Sequence, residues 1–478
     1  MLTTLNNIKD IALNLFQQKS LKLVALGTLL FSFLIPAHAN SIVPPNEQMI
    51  LRDIQQQVSA ERLKKDVTTL VSFGTRHTLS ETKSDTQGIG AARRWIKSEF
   101  EKISAQCGGC LEVTYQKQTF SGEKRIPEPT EVVNVIAIQR GKLDPNRYIV
   151  MSGDIDSRVT DPLNFTSVSP GANDNASGVA GTIEAARVLS QYEFAGTIVY
   201  AALSGEEQGL FGGKIMAGIA KKEGWRVEAV INNDMIGNIS GINGVINNTT
   251  ARVFSEGVRF VETPEEARKR RFTGGEVDSP SRNVARYIDT IADQYIPNLD
   301  VMMVYRLDRF GRGGHHRPFN AEGYPAVRIM ETNEHYDRQH QDLRTENGRA
   351  FGDVISGVDF DYNAKLTSLN VVTMAAMAWA PPPPANTEIS GAVKASTTLK
   401  WQRPKGDMAE NLAGYRVHWR LTTEPTWTNS QYVGDVTEFE LKNIVIDNYF
   451  FGVSSVAKDG FESPVVFPGP AGSFGGYK

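Results

Sequence analysis

Residues 148–156 read Tyr-Ile-Val-Met-Ser-Gly-Asp-Ile-Asp. A short apolar run of this kind predicts a buried strand, and two aspartates follow it directly. In open α/β sheets, ligands bind beyond the carboxyl ends of the strands. The stretch therefore indicates a strand of a helix-covered sheet and marks the sheet edge at which we expect the chemistry.

The same alternation of β-rich runs and amphipathic stretches extends over residues 132–331, which predicts an α/β fold with a mostly parallel mixed sheet flanked by helices. A stretch of mixed charge, residues 258–278, interrupts the alternation and is expected to be a solvated insertion. Strands are expected at 132–139, 148–152, 197–203, 227–232, 301–305 and 326–330, and helices at 177–190, 210–222, 281–295 and 366–379.

Residues 381–384 are consecutive prolines, which cannot continue a helix and commonly separate domains. The segment after them changes to an all-β pattern, with strands expected at 397–401, 415–420, 439–441 and 449–456. Its motifs, among them Gly-Tyr-Arg-Val-His-Trp at 414–419, resemble a fibronectin type III sandwich. We therefore expect a main domain over 40–380, a linker over 381–385 and a sandwich over 386–478.

The first 39 residues have the order of a secretory signal peptide. Lys9, Lys19 and Lys22 precede an apolar run at 23–35, and Ala-His-Ala follows at 37–39. We expect cleavage after Ala39, hence an exported protein, periplasmic or secreted, with no membrane span after signal removal. An uncleaved membrane anchor is the alternative, although the apolar run is shorter than the roughly 20 residues that a spanning helix needs.

Composition excludes several classes of protein. The chain has 478 residues, 40% of them hydrophobic and 22% charged, which fits neither a disordered protein nor a polytopic membrane protein. The net charge is −3, so there is no global positive field for a nucleic acid. We expect no nucleic-acid partner.

Two cysteines are present, Cys107 and Cys110, separated by two glycines. In an oxidising compartment this spacing favours a local disulfide. A redox motif is the alternative, but it would need a helix N-terminus to lower the thiol pKa, whereas the glycines indicate a loop.

Acidic residues follow several of the expected strands at or just after their carboxyl ends. Because these ends meet at one edge of a sheet, the carboxylates would repel one another unless cations neutralise them. The acids concerned are Asp154, Asp156, Asp174, Glu206, Glu207 and Asp234. Of seven histidines, four fall in one region, at His315, His316, His335 and His340. Imidazole nitrogen together with carboxylate oxygen suits zinc or a similar metal.

Five motifs stand out along the chain, at 153–157, 170–178, 203–209, 233–237 and 337–342. Together and in this order they resemble the zinc exopeptidases of the M28 aminopeptidase family. Shorter matches occur upstream at 74–77 and downstream at 312–319, so that the resemblance covers about residues 54–380.

The resemblance implies zinc, with two ions per chain. Asp174 would bridge the ions, Glu207 and His340 would complete one site, and Asp234 with Asp154 would complete the other. Glu206 would be the general base that takes a proton from the attacking water and passes it to the leaving amine. Asp156, the second acid of the first motif, is assigned to the catalytic residues with Glu206.

One position departs from the family pattern. The family usually has histidine where this chain has Asp154, and Asp156 would normally orient that ring. The set Asp154, Asp174 and Asp234 is all oxygen, so this site would accept manganese or magnesium, or be empty. Three readings stay open: a two-metal enzyme, a one-metal enzyme using Asp174, Glu207 and His340, and an inactive relative.

The resemblance also places residues near the substrate. His316 or Arg317 would contact the scissile carbonyl or the oxyanion, and Tyr336 is a candidate pocket wall. The expected function is an aminopeptidase that acts on peptides. The alternatives are a glutaminyl cyclase with a single zinc, a carboxypeptidase, and a binding protein whose sandwich contacts a surface or polymer while its catalytic domain is vestigial.

Overall fold

An eight-stranded mixed sheet forms the centre of this computed structural model, which describes residues 43–404 and 408–474. The strand order is β1-β2-β4-β3-β5-β8-β6-β7, and the four strands β4-β3-β5-β8 are parallel. The expected α/β class with a flanked mixed sheet is confirmed; β1 and β6 were not predicted. The strands are β1 (Leu111–Phe120), β2 (Thr130–Gln139), β3 (Asp144–Asp154), β4 (Gly196–Leu203), β5 (Arg226–Asn233), β6 (Thr250–Ser255), β7 (Asp300–Val304) and β8 (Ala326–Glu331).

Helices cover both faces of this sheet. Along β3, Ile149 and Met151 pack on the side of α4, α8 and α10, whereas Tyr148 and Val150 pack on the side of α6 and α9. This is the period-2 alternation of a strand buried on both faces. The helices are α1 (Met49–Gln56), α2 (Ala60–Ser72), α3 (Gly88–Gln106), α4 (Gly178–Leu189), α5 (Glu206–Gly209), α6 (Phe211–Glu223), α7 (Pro264–Thr273), α8 (Pro280–Tyr295), α9 (His316–Ala321), α10 (Phe360–Trp379) and α11 (Met408–Asn411).

The expected signal peptide, residues 1–39, lies outside the described residues. From 43 onward, none of the helices described is both long and apolar enough to cross a membrane. Cys107 and Cys110 form a disulfide directly after α3, in a turn where Gly108 and Gly109 have positive φ. This turn is a helix C-terminus, not an N-terminus that would activate a thiol.

The carboxyl ends of the central parallel strands meet at one edge of the sheet. β3 ends at Asp154, β4 leads into the short helix α5, and β5 is followed by Asp234. The chain packs tightly there: a Cβ added at Gly153 would lie 2.4 Å from the carbonyl carbon of Gly178. A larger residue at Gly153 would therefore push α4 and the segment before it away from β3.

The C-terminal residues form two three-stranded antiparallel sheets, of order β11-β12-β15 and β14-β13-β16. Their shared core contains Leu399, Trp401, Tyr415, Val417 and Phe451. The four prolines at 381–384 are buried, and the domain boundaries drawn from the sequence stay predictions. The strands are β11 (Ala385–Ser390), β12 (Thr397–Gln402), β13 (Leu412–Leu421), β14 (Asn429–Gly434), β15 (Glu438–Leu441) and β16 (Tyr449–Ala457), and a separate hairpin contains β9 (Arg344–Glu346) and β10 (Arg349–Phe351).

A buried ion-pair network joins these sheets to α8. Asp278 receives Arg286 Nη1 at 2.9 Å from α8 and Arg420 Nη2 at 2.8 Å from β13. Arg286 Nε also donates to the carbonyl of Pro425, and Tyr287 Oη donates to that of Glu462. The expectation of a solvated insertion over 258–278 is thus wrong at its end: α7 has no buried residue, but Asp278 is completely buried.

Asp278→Asn should lower the free energy of unfolding of the whole chain by about 3 to 5 kcal/mol, because it leaves two buried arginines without a counter-charge. Chemical denaturation would measure this. Glu438→Gln is the matched control, since Glu438 pairs with Lys400 at the surface and its loss should have little effect. Equal stability of Asp278→Asn and the parent would show that this network does not hold the two parts together.

Candidate metal centre

Asp174, Glu207 and His340 bring their side chains together at the carboxyl edge of the sheet. His340 Nε2 lies 2.9 Å from Asp174 Oδ2 and 2.8 Å from Glu207 Oε1. One ligand atom of each residue falls within 4.8 Å of the other two, and Glu207 is buried. One nitrogen and two carboxylate oxygens in this arrangement fit a zinc ion.

The turn after β4 positions both glutamates. Gly205 has φ 74°, a conformation that glycine adopts without strain and that lets α5 start immediately after the strand. Asp156 then accepts the backbone N–H of Glu206 through Oδ1 and that of Glu207 through Oδ2, at 3.1 and 3.0 Å. Asp156 therefore positions the two glutamates and orients no histidine ring.

Asp174 lies in an irregular helical segment, Ala172–Ser177, whose backbone is held by another carboxylate. Asp353 Oδ2 accepts the N–H of Asp174 at 2.7 Å and that of Asn173 at 3.0 Å. Arg76, completely buried, donates to the carbonyls of Pro170 and Gly171 at the start of the same loop. These contacts fix the loop that aims Asp174 at the other two ligands.

His340 has a positive φ of 55°, and so do two other non-glycine residues beside the site, Leu210 and Met235, each at 65°. Such backbone strain concentrates at functional sites, where the surrounding structure offsets its cost. Arg158 Nε pairs with Glu207 Oε2 at 2.7 Å, and its Nη2 lies 2.6 Å from His340 Nδ1. One guanidinium therefore contacts two of the three candidate ligands.

The electrostatics divide the acids into two kinds. Burial opposes charge on all of them, but the His340 ring lowers the pKa of Asp174 and Glu207 below their ordinary values. The pKa of Glu206 is raised well above normal by burial and by its carboxylate neighbours Glu207 and Asp234. Burial lowers the pKa of His340, but Glu207 and Asp174 outweigh it and raise that pKa to about 9. Glu206 is thus an acid that readily holds a proton, next to two that do not.

Asp154 and Asp234, the residues expected at a second ion, are not brought into a comparable group with Asp174. Asp154 Oδ1 lies 2.5 Å from His315 Nδ1, and its Oδ2 accepts from Asn175 Nδ2 at 2.9 Å. Asp234 Oδ2 pairs with Arg328 Nη2 at 2.9 Å. Among the residues described, the compact group of possible ligands at this edge is Asp174, Glu207 and His340.

A cleft of about 680 Å³ opens beside these residues. Glu206, Asp234 and Arg317 line it. His316 does not: it is completely buried and its Nε2 lies 2.8 Å from the carbonyl of Leu307, so the expectation that it contacts substrate needs correction. Tyr336 is 54% exposed and is not part of the cleft wall.

Sequence reasoning assigned no role to Arg76, Asp353 or Arg328, which act through other residues. Arg76 lies in the motif at 74–77, but the motif does not show which groups its side chain contacts. Arg328 had a visible signal, because a charged residue interrupts the apolar run of a strand buried on both faces. Asp353 follows none of the strands expected from the sequence, so no pattern singled it out.

Comparison with known proteins shows the family to which the chain belongs. The family model described as peptidase family M28 matches residues 134–357. A probable zinc metalloprotease from Leptosphaeria maculans is 42% identical over 430 residues, which cover 90% of this chain and 99% of the relative. Another from Pyrenophora teres f. teres is 43% identical, covering 90% and 88%. The LapA aminopeptidase of Legionella pneumophila has a similar fold, with a TM-score of 0.52, 20% identity and coverage of 70% of this chain and 76% of that one.

Asp353→Asn should weaken zinc binding about 10- to 100-fold, the usual cost of losing a partner that orients a ligand. Titration against a chromophoric chelator would measure the affinity. Asp359→Asn is the matched control, because Asp359 also accepts a backbone N–H, from Tyr362, but at the start of α10. If the two variants bind zinc equally well, Asp353 has no part in positioning Asp174.

Proposed function

Because this chain belongs to peptidase family M28, we propose that it is a zinc-dependent aminopeptidase that removes residues from the N-termini of peptides. The observation that carries this proposal is the group Asp174, Glu207 and His340 with Glu206 beside it. Three side chains are arranged as ligands, and the fourth faces the same cleft. This is the division of labour that metal-assisted hydrolysis requires.

Asp174, Glu207 and His340 would hold the zinc ion. When bound, zinc supplies a Lewis acid that polarises the scissile carbonyl and lowers the pKa of water toward neutrality. Glu206 takes the proton of the attacking water and delivers it to the leaving amine. The raised pKa of Glu206 favours the second half of this task, in which the carboxyl group must hold the proton before passing it on.

The charges along the cleft bear on which end of a peptide is recognised. Two carboxyl groups that are not ligands, those of Glu206 and Asp234, line it beside the metal group, and a carboxylate there suits the ammonium group of a free N-terminus. Arg312 and Arg317 also line the cleft, and guanidinium groups would suit a C-terminal carboxylate instead. Carboxypeptidase action is therefore the second candidate.

Glu206→Gln should reduce hydrolysis at least 100-fold while leaving the zinc content unchanged, because it removes the proton carrier and no ligand. Glu207→Gln is the matched neighbour and should lose zinc as well as activity. Mass spectrometry of free and N-acetylated peptides would record the products of the parent enzyme. Loss of single N-terminal residues from the free peptides alone is the expected result.

Other products would reject the aminopeptidase proposal in distinct ways. C-terminal trimming would support the carboxypeptidase, and conversion of N-terminal Gln to pyroglutamate would support a cyclase. If the protein binds its full complement of zinc and none of the peptides reacts, the remaining alternative is a binding protein whose catalytic domain is vestigial. Undiminished turnover by Glu206→Gln would refute the general-base role alone.

We also propose that the protein is exported. The sequence order over residues 1–39 supports this, and so does the disulfide between Cys107 and Cys110, since such bonds persist in oxidising compartments. Expression with the native N-terminus should give a mature protein that begins at Asn40 by N-terminal sequencing. A chain that keeps residues 1–39 would refute removal of a signal.

A fibronectin type III-like sandwich is our proposal for the C-terminal sheets. The strand orders β11-β12-β15 and β14-β13-β16 support it, as does the contact of Trp401 with Tyr415 between the sheets, their rings 5.2 Å apart. An experimental structure with another strand pairing would reject it.

A further inference from the structure

Asp154 and Asp234, the two carboxylates expected at a second metal ion alone, both pair with other groups of the protein. Among the described residues, Asp154 does not join Asp174 and Asp234 as a compact ligand group. Both of its oxygens instead meet nitrogen, from His315 on one side and Asn175 on the other. His315 is completely buried, so water cannot replace it.

Asp234 faces a permanent positive charge. Arg328 Nη2 lies 2.9 Å from Asp234 Oδ2, and the Arg328 side chain has no solvent exposure. An arginine stays protonated at any pH at which a protein folds. A divalent ion at the same oxygen would lie within a few ångströms of this guanidinium, and burial of the pair weakens the screening of their repulsion by water.

Arg328 is also held so that it does not swing aside. Its Nη1 donates to both oxygens of Asp308, at 3.1 Å, and to the carbonyl of Gly313 at 2.9 Å. Its backbone lies inside β8, paired with β5 on one side and β6 on the other. The guanidinium is therefore a fixed part of the site.

From this geometry we propose that the chain binds a single metal ion, at Asp174, Glu207 and His340. The guanidinium of Arg328 provides, beside Asp234, the positive charge that a second ion would otherwise provide. The inference rests on the metal dependence proposed above and deepens it. A guanidinium differs from an ion in having no open coordination position. The Asp234 side of the site therefore acts on a substrate through charge and hydrogen bonds alone, and Arg328 is a positioning residue.

The first test counts ions in the mature full-length chain after metal stripping, reloading with excess zinc and dialysis. Elemental analysis should give one zinc per chain in the parent, and still one in Asp154→Asn and in Asp234→Asn. His340→Ala should lose it. Two ions in the parent, or a loss of zinc in Asp154→Asn or Asp234→Asn, would overturn the proposal. No zinc in the parent would refute the proposed metal dependence itself, which is a different failure.

A second measurement detects an ion too weakly bound to survive dialysis. Under saturating Mn²⁺, electron paramagnetic resonance should show the six-line spectrum of isolated ions. Two ions sharing Asp174 would instead be roughly 3.5 to 4 Å apart and would give an exchange-coupled spectrum. That coupled spectrum in the parent would refute a single-ion site.

Replacing Arg328 tests its own part. Arg328→Met removes the charge and should admit a second, coupled Mn²⁺, whereas Arg328→Lys keeps a charge and should hold one ion. A folded Arg328→Met that still binds one ion would refute the role given to Arg328. If Arg328→Met does not fold, the Mn²⁺ spectrum of Arg328→Lys decides instead, and a coupled signal there would refute the role of the guanidinium.

Discussion

Mutual repulsion among carboxylates is the constraint on which the rest of this structure depends. Asp154, Asp156, Asp174, Glu207 and Asp234 are gathered at one edge of a parallel sheet with little or no contact with water, and burial alone disfavours their charge. Each is matched by donors that the fold brings from elsewhere in the chain. His315 and Asn175 serve Asp154, the N–H groups of α5 serve Asp156, and Arg328 serves Asp234. His340 serves both Asp174 and Glu207, and Arg158 also serves Glu207. The loops after the strands are arranged to deliver these partners.

This compensation explains why the acids differ in character although they are neighbours. Glu207 and Asp174 share His340 and hold their charge readily, whereas Glu206, one residue from Glu207, faces carboxylates and tends to keep a proton. Adjacent positions on a four-residue helix thus obtain opposite acid–base behaviour from their surroundings. In this M28 peptidase the backbone of α5, held by Asp156, fixes which glutamate meets which environment.

Sequence patterns predicted the central strands and the acids that follow them, because strand periodicity and the position of a residue after a strand are local properties. The ligand group Asp174, Glu207 and His340 was also predicted, through the resemblance to a family. The partners were not: Arg328 lies 94 residues from Asp234 and His315 lies 161 from Asp154. Contacts of that separation depend on strand order, which periodicity does not encode. For the same reason the charged stretch at 258–278 predicts an exposed position for Asp278, whereas Arg420 of a distant strand lies against it.

The buried Asp278 network and the buried prolines at 381–384 bear on how such a chain can be reused. A module that evolution or an engineer can move between proteins needs a surface that is complete when the module stands alone. If the tail stood alone, Arg420 and its neighbours would be exposed to water, because the carboxylate against which they pack, that of Asp278, belongs to another part of the chain. Transplanting the tail onto a different host would require a matching acid, so the two parts are expected to have changed together in the history of this lineage rather than to have been exchanged.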